Sequence, residues 1–167
     1  MKTKVSHISL AFVALALAVG APAAAETQKA AEGLEFNHLY MAISVQDIDA
    51  VSAFYVEKLG FKLEKEASLG DAVQFRWFTN GTSRVELIRM AGSEAGPARQ
   101  TPPGHLGVQG FSHLALETPD IVATKAALAA KGVTPIVDIS DLPPLGIKAM
   151  FIADPEGNPI EIVQRLP

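Results

Sequence analysis

The chain has 167 residues, no cysteine and a formal net charge of −4. Without cysteine, disulfide bonds, thiolate nucleophiles and thiolate metal sites are excluded. The excess of acidic residues argues against a nucleic-acid partner, because phosphate binding requires clustered Lys and Arg.

Residues 1–25 have the residue order of a secretory signal. Two lysines precede an apolar run over residues 8–19, and three alanines end at Ala25. This order predicts export to the periplasm or the medium, with cleavage after Ala25. The apolar run is too short for a comfortable membrane span, so we expect no stable membrane insertion after cleavage; an uncleaved tether is the alternative. Residues 26–35 are predicted to be a flexible lead.

Residues 36–91 are predicted to form a strand, a helix and three further strands. Alternation of apolar and polar residues begins near Phe36 and indicates the first strand. Asp47 then opens a stretch with helical spacing that stops at Gly60, which predicts an N-cap and a C-terminal stop. Three alternating segments follow, and the dipeptide Asn80-Gly81 between the last two is typical of a hairpin.

Residues 92–108 are rich in Gly and Pro without periodicity and are predicted to be a linker. The same order of elements returns over residues 109–167 and ends in a hairpin around DPEGNP. The sequence therefore predicts an α+β fold in which two βαβββ modules form an open, barrel-like curved sheet around a central cavity. Because the linker is long, a module can pair with the other half of its own chain or of a second chain, and we expect a homodimer in either case.

Four polar residues stand at equivalent places in the two modules, each among apolar neighbours: Tyr40 and Glu86 in the first, His113 and Glu161 in the second. Taken singly, each is explained by packing, by a solvated face or by a satisfied core histidine. Their recurrence at equivalent positions favours a site of nitrogen and oxygen ligands, which suits a divalent Ni, Zn, Mn or Fe ion.

The chain resembles the vicinal oxygen chelate superfamily, which includes glyoxalase I, bleomycin-resistance proteins and extradiol dioxygenases. The resemblance lies in the stretches YMAISVQDIDAVSAFYVEKLGF, GFSHLALETPD, VELI and ADPEGNPIEI, which run through residues 36–165. It implies a metal held by one residue near the start of each module and one on its last strand. In this chain those residues are Tyr40, Glu86, His113 and Glu161.

The first of these positions departs from the family pattern, which usually has histidine or sometimes glutamine in place of Tyr40. A phenol must lose a proton, with an ordinary pKa of about 10, before it binds a metal strongly. His38 lies two residues earlier, on the same face of an extended strand, and is the alternative ligand. His38 and Glu161 are also the candidate catalytic residues, because each can carry a proton.

Three residues of a central strand, Gln74, Arg76 and Trp77, are candidates for substrate binding. Those that face inward would bind an anionic or planar substrate, and the sequence leaves their facing open. The glyoxalase I pattern has an arginine and an asparagine for glutathione where this chain has Ser44 and Met90. The resemblance therefore argues against a glutathione conjugate as substrate.

Two functions from different classes remain. In the first, the protein is an exported, metal-dependent lyase or isomerase of the glyoxalase type that acts on a small oxygen-chelating substrate; a dioxygenase is a variant of this hypothesis. In the second, the metal site has lapsed and the protein sequesters a small molecule, as bleomycin-resistance proteins do. We favour the enzyme, because polar residues inside strands are costly unless they have a use.

Overall fold

The structure is a computed structural model that describes residues 36–167. The predicted signal and lead, residues 1–25 and 26–35, lie outside the described residues. Within residues 36–167, no helix is long and apolar enough to span a membrane.

The described residues form two modules with the same order of elements. The first module contains β1 (Tyr40–Ser44), α1 (Ile48–Ala53), β2 (Lys62–Leu69), β3 (Val73–Asn80) and β4 (Ser83–Met90). The second module contains β5 (Leu114–Glu117), α2 (Ile121–Ala130), β6 (Val137–Leu142), β7 (Ile147–Ala153) and β8 (Pro159–Arg165).

Each module builds one four-stranded sheet, in the order β1-β4-β3-β2 and β5-β8-β7-β6. In both sheets the first and last strands of the module pair in parallel, and the other pairs are antiparallel. Neither sheet closes on itself. The predicted α+β fold of two βαβββ modules is confirmed.

The first helix begins and ends where its sequence signals predict. The Asp47 side chain accepts a hydrogen bond from the Ala50 amide at 2.9 Å, which caps the helix. After α1 the chain continues in a π-helical turn over Phe54–Lys58, which the sequence did not predict. Gly60 then adopts a φ of 72°, a left-handed conformation that ends the helix.

One hydrophobic core joins the two modules and lies on the helix side of both sheets. It contains apolar residues of α1, α2 and the central strands, among them Val51, Tyr55, Val85, Leu87, Ile121, Leu128, Met150, Ile152 and Ile160. Because side chains alternate along a strand, the residues between these point to the opposite side of each sheet. That side, which we call the open face of each sheet, carries the candidate site.

The turn between β7 and β8 connects the modules. Buried Asp154 accepts hydrogen bonds from the Glu156 and Asn158 amides, both at 2.9 Å, and so shapes the turn. Burial raises the pKa of the Asp154 carboxyl. The Glu156 carboxylate then accepts hydrogen bonds from the amides of Gln46, at 2.8 Å, and Asp47, at 2.7 Å. The second module therefore caps the start of α1 in the first.

Glu156→Ala is expected to destabilise the protein by about 1 kcal/mol, because a carboxylate at a helix N-terminus satisfies two amides that have no partner within the helix. The free energy of unfolding in urea measures this effect. Glu94→Ala, which changes an exposed glutamate of the linker, is the matched control. Equal stability of the two variants would show that this contact between the modules contributes nothing.

Three further segments differ from the sequence prediction. The first, β1, begins at Tyr40 and not near Phe36. The second module, predicted to start at residue 109, has its first strand only from Leu114. Before this strand, the Phe111 and Ser112 carbonyls accept weak hydrogen bonds from the Arg99 guanidinium, each at 3.4 Å. The linker, expected to lack structure, contains a 3-10 turn at Gly104–Gly107. Arg99 and this turn together lay the end of the linker against the start of the second module.

Candidate functional site

The open face of the first sheet brings three of the predicted residues together. Trp77 pairs with Glu86 across β3 and β4, and Ala42 pairs with Glu86 across β1 and β4. Tyr40, two residues before Ala42, therefore shares the face with Trp77 and Glu86.

Trp77 is the centre of this group. Its indole Nε1 donates a hydrogen bond to Glu86 Oε1 at 2.6 Å, a short, charge-assisted contact that fixes the carboxylate. The Tyr40 ring lies 5.6 Å from the Trp77 ring between centroids, at an interplanar angle of 56°. On the same face, Lys65 Nζ lies 4.9 Å from the centroid of the Trp77 ring.

An open cavity of about 270 Å³ lies over this group. Its lining comes from the first module and is mostly apolar: Lys65, Ala67, Leu69, Phe75, Trp77 and Glu86. The cavity can accept a small molecule with a planar or apolar part and a group that binds a carboxylate or an ammonium ion.

The open face of the second sheet brings the other two predicted ligands together. His113 Nε2 lies 3.2 Å from Glu161 Oε2, and their side chains are 21% and 15% exposed. Glu161 pairs with Phe151 across β7 and β8, and the Phe151 ring packs edge-on against the His113 ring with centroids 5.3 Å apart. His113 is therefore held from two sides.

A third residue of this group, His105, was not among the predicted site residues. It lies in the 3-10 turn of the linker, and its Nε2 is 3.0 Å from His113 Nδ1. Burial, and next the neighbouring His113, lower the pKa of His105. The available signal was a histidine eight residues before His113 in a segment otherwise rich in Gly and Pro, which by itself indicates no site.

The structure shows how the three candidate substrate residues face, which the sequence left open. Arg76 and Gln74 alternate with Trp77 and lie on the helix side of β3. Arg76 pairs there with Asp49 at 2.7 Å and Glu66 at 2.8 Å. Of the three predicted substrate residues, Trp77 alone lies on the open face, because period-2 alternation separates it from the other two.

His38 is exposed and precedes β1, which starts at Tyr40. It makes no hydrogen bond to the residues that the structure describes. The structure therefore places Tyr40, but not His38, beside Trp77 and Glu86.

The four predicted metal ligands form two groups in one chain, Tyr40 with Glu86 and His113 with Glu161. Among residues 36–167, no three His, Asp or Glu side chains are grouped closely enough to hold a metal ion. The donor types still fit a divalent ion, because carboxylate oxygen and imidazole nitrogen are its usual ligands. A complete site requires that the two open faces approach each other.

Comparison with known proteins finds one family over most of the described residues, and it is the family that the sequence resembles. The profile of the Glyoxalase/Bleomycin resistance protein/Dioxygenase superfamily matches residues 36–162. A lactoylglutathione lyase of Pseudomonas putida is 27% identical over 163 residues, which cover 86% of this chain and 92% of that protein.

Solved structures of the same fold include proteins with different activities. A glyoxalase family protein from Enterococcus faecalis is 27% identical, with a TM-score of 0.61, and covers 77% of this chain and 96% of that one. Glyoxalase I from Zea mays is 21% identical with a TM-score of 0.62, and the match covers 78% of this chain and 45% of the Zea mays chain. The antibiotic-binding protein TnmS3 from Streptomyces sp. CB03234 is 21% identical with a TM-score of 0.59, and the match covers 79% of this chain and 98% of TnmS3. The chain belongs to the Glyoxalase/Bleomycin resistance protein/Dioxygenase superfamily.

Proposed function

We propose that this protein is an exported, metal-dependent enzyme of the glyoxalase type, a lyase or isomerase whose small substrate binds through two neighbouring oxygens. The observation that carries the proposal is the contact of His113 Nε2 with Glu161 Oε2 at 3.2 Å on an open sheet face. Mostly buried imidazole and carboxylate groups cost stability, and a ligand role explains why a strand would carry them. Export is proposed from residues 1–25, with the mature protein periplasmic or secreted.

The residues that would hold a divalent Ni, Zn, Mn or Fe ion are Glu86, His113 and Glu161, with Tyr40 as the fourth group. When bound, such an ion supplies Lewis acidity toward the substrate oxygens. Glu161 is the main candidate to move a proton, since it lies beside His113, and exposed His38 is the second. Trp77 and Tyr40 contribute the aromatic surface that orients the substrate.

The proposed enzyme acts as a homodimer. Glu86 is not grouped with His113 and Glu161 in one chain, so a second copy is needed to bring the open face of one first module to that of the other chain's second module. Such pairing would also cover two exposed apolar side chains on the open face of the first sheet, Leu69 and Met90. Two-fold symmetry would create two equal sites for each dimer.

The side chains on the open face of the first sheet limit which substrates fit. Lys65 and Trp77 favour a substrate that is planar or anionic. The Pseudomonas putida relative is named for a glutathione adduct, but Ser44 and Met90 stand at the two glutathione positions of the glyoxalase I pattern. A small, oxygen-chelating substrate without glutathione therefore fits this chain better.

A metal-free binding protein is the second candidate, and one contact favours it. The Trp77 indole already donates to Glu86 at 2.6 Å, so the carboxylate is satisfied without an ion. The fold is also that of TnmS3, an antibiotic-binding protein. In this case the open cavity would hold an apolar or planar molecule directly.

Trp77 is the only tryptophan of the sequence, so its fluorescence reports on Glu86. In chelator-stripped protein, titration with Zn²⁺, Ni²⁺ or Mn²⁺ is expected to change the Trp77 emission in a saturable way, because the ion draws the carboxylate from the indole. Glu86→Gln should lose the response, whereas the control Glu64→Gln, on β2 of the same sheet, should keep it.

The metal-loaded form of the protein is used to test the activity. The enzyme is expected to exchange the carbon-bound protons of a small α-hydroxyketone, dihydroxyacetone, in D₂O, with exchange that stops on addition of chelator. Oxygen uptake by the Fe²⁺-loaded protein would point to a dioxygenase. If the Trp77 emission changes with a planar aromatic compound but with none of the ions, the result would support the metal-free binding protein and contradict the metal-dependent enzyme.

A further inference from the structure

His105 is the one polar residue among the two buried residues of the linker, the other being Pro102. It is 8% exposed, while its neighbours Leu106 and Val108 are 60% and 77% exposed. The ring lies 5.6 Å from the Phe151 ring and 5.2 Å from the His113 ring between centroids. A linker that only joined two modules would have no reason to bury an imidazole while leaving Leu106 in solvent.

The hydrogen bonds of His113 determine what His105 does there. Glu161 Oε2 lies 3.2 Å from His113 Nε2, and a carboxylate oxygen at this distance favours the tautomer of His113 with its proton on Nε2 in the metal-free protein. His113 Nδ1 is then an acceptor, and it has two neighbours at 3.0 Å, His105 Nε2 and Ser112 Oγ. The His105 N–H and the Ser112 hydroxyl are therefore the two groups that can donate to His113 Nδ1.

The other nitrogen of His105 agrees with this arrangement. His105 Nδ1 is buried and has no hydrogen-bond partner among the described residues. With the proton on Nε2, the unpartnered atom is a lone pair instead of an N–H group. Orphaned N–H groups are the rarer and more costly of the two in protein interiors.

We propose that His105 is a positioning residue, which together with Glu161 fixes the tautomer and the ring orientation of His113 so that His113 Nε2 faces Glu161 and the open face. The turn at Gly104–Gly107 and the Arg99 contacts hold His105 in place, and Phe151 closes the far side. The linker thus has a role in the site of the second module.

For metal binding, the role of His105 rests on the proposed function. Binding of a metal through His113 Nε2 requires that this nitrogen carry no proton, and the proton then belongs on Nδ1. Ser112 Oγ can accept a hydrogen bond from that N–H, and His105 Nε2 can accept it once the His105 proton has moved to Nδ1. A partner of this kind on the non-binding nitrogen of a ligand histidine typically changes metal affinity by roughly 10- to 100-fold.

Two substitutions separate the hydrogen bond from packing. His105→Phe keeps a ring against Phe151 but removes the donor, and His105→Gln keeps a side chain that can donate. Leu106→Ala, in the same turn but exposed, is the control. Circular dichroism of the mature chain verifies that each variant is folded.

Long-range ¹H–¹⁵N spectra of the metal-free mature protein then report the tautomer of His113. We expect one tautomer, protonated at Nε2, in the parent, in Leu106→Ala and in His105→Gln, and a mixture in His105→Phe. An unchanged His113 spectrum in His105→Phe would overturn the proposal, whether or not the protein binds metal.

Zn²⁺ titration is the second measurement. If the parent binds Zn²⁺, His105→Phe should raise the Kd roughly 10-fold or more, and His105→Gln should recover most of the loss. A parent that binds Zn²⁺ together with a His105→Phe variant of equal affinity would overturn the role of His105 in binding. A parent that binds no metal would count against the proposed function alone, and the spectra would still decide the positioning.

Discussion

Glu161→Gln is expected to weaken binding of a divalent ion by about 100-fold or more, while the metal-free protein stays folded. This loss is larger than that caused by removing a residue that only hydrogen-bonds to a ligand. The substitution keeps the shape of the side chain and a hydrogen bond to His113, but removes the negative charge of the ligand. Because the side chain is 15% exposed, the amide can be partly solvated, and the free energy of unfolding in chelator should change by less than about 1 kcal/mol. Zn²⁺ titration and urea unfolding measure the two effects.

Glu117→Gln is the matched control, since Glu117 shares the open face but pairs with Arg165 at 2.7 Å instead of His113. Its metal affinity should equal that of the parent. His113→Ala should also lose metal binding, but it removes ring contacts with Phe151 and His105 and is therefore expected to cost stability as well. Strong destabilisation of Glu161→Gln in chelator would mean that Glu161 supports the fold, and the metal-site proposal would be wrong.

Mixing two inactive variants should restore part of the metal binding. In the proposed dimer, Glu86 of one chain meets His113 and Glu161 of the other, so Glu86→Gln and Glu161→Gln each destroy both sites. A heterodimer of the two variants has one site with all parent residues and one with both substitutions. After free exchange, half of the dimers are mixed, and about a quarter of the parent sites should return.

The two variants are mixed, unfolded and refolded together, and Zn²⁺ binding is compared with that of each variant refolded alone. Recovery is expected only in the mixture. If the sites lay within single chains, no combination of these chains could build one, and binding in the mixture would stay at the level of the separate variants.

The repeated module was predictable because its signals are local. Asp47 and Asp120 cap their helices, and the DPEGNP turn joins two strands whose alternation is regular. His113 and Glu161 were candidate ligands because they are equivalent to Tyr40 and Glu86 in the repeat. These features depend on short-range chemistry and on periodicity, which a sequence displays directly.

Other features of the site depend on long-range packing. The facing of Arg76 was left open by the sequence, since a shift of one residue exchanges the two faces of a strand. His105 sits in a segment without periodicity, and its contact with His113 arises only when the linker folds back. The separation of Glu86 from His113 within one chain depends on how the modules pack, which no local pattern specifies.

Anomalous diffraction from crystals of the mature protein grown with Zn²⁺ tests the central claim most directly. The account predicts one strong peak for each chain, within binding distance of His113 Nε2 and a Glu161 oxygen of one copy and of Glu86 in a second copy. Crystals in which both open faces contain no anomalous peak, with Trp77 still donating to Glu86, would contradict the metal enzyme and support a metal-free binding protein.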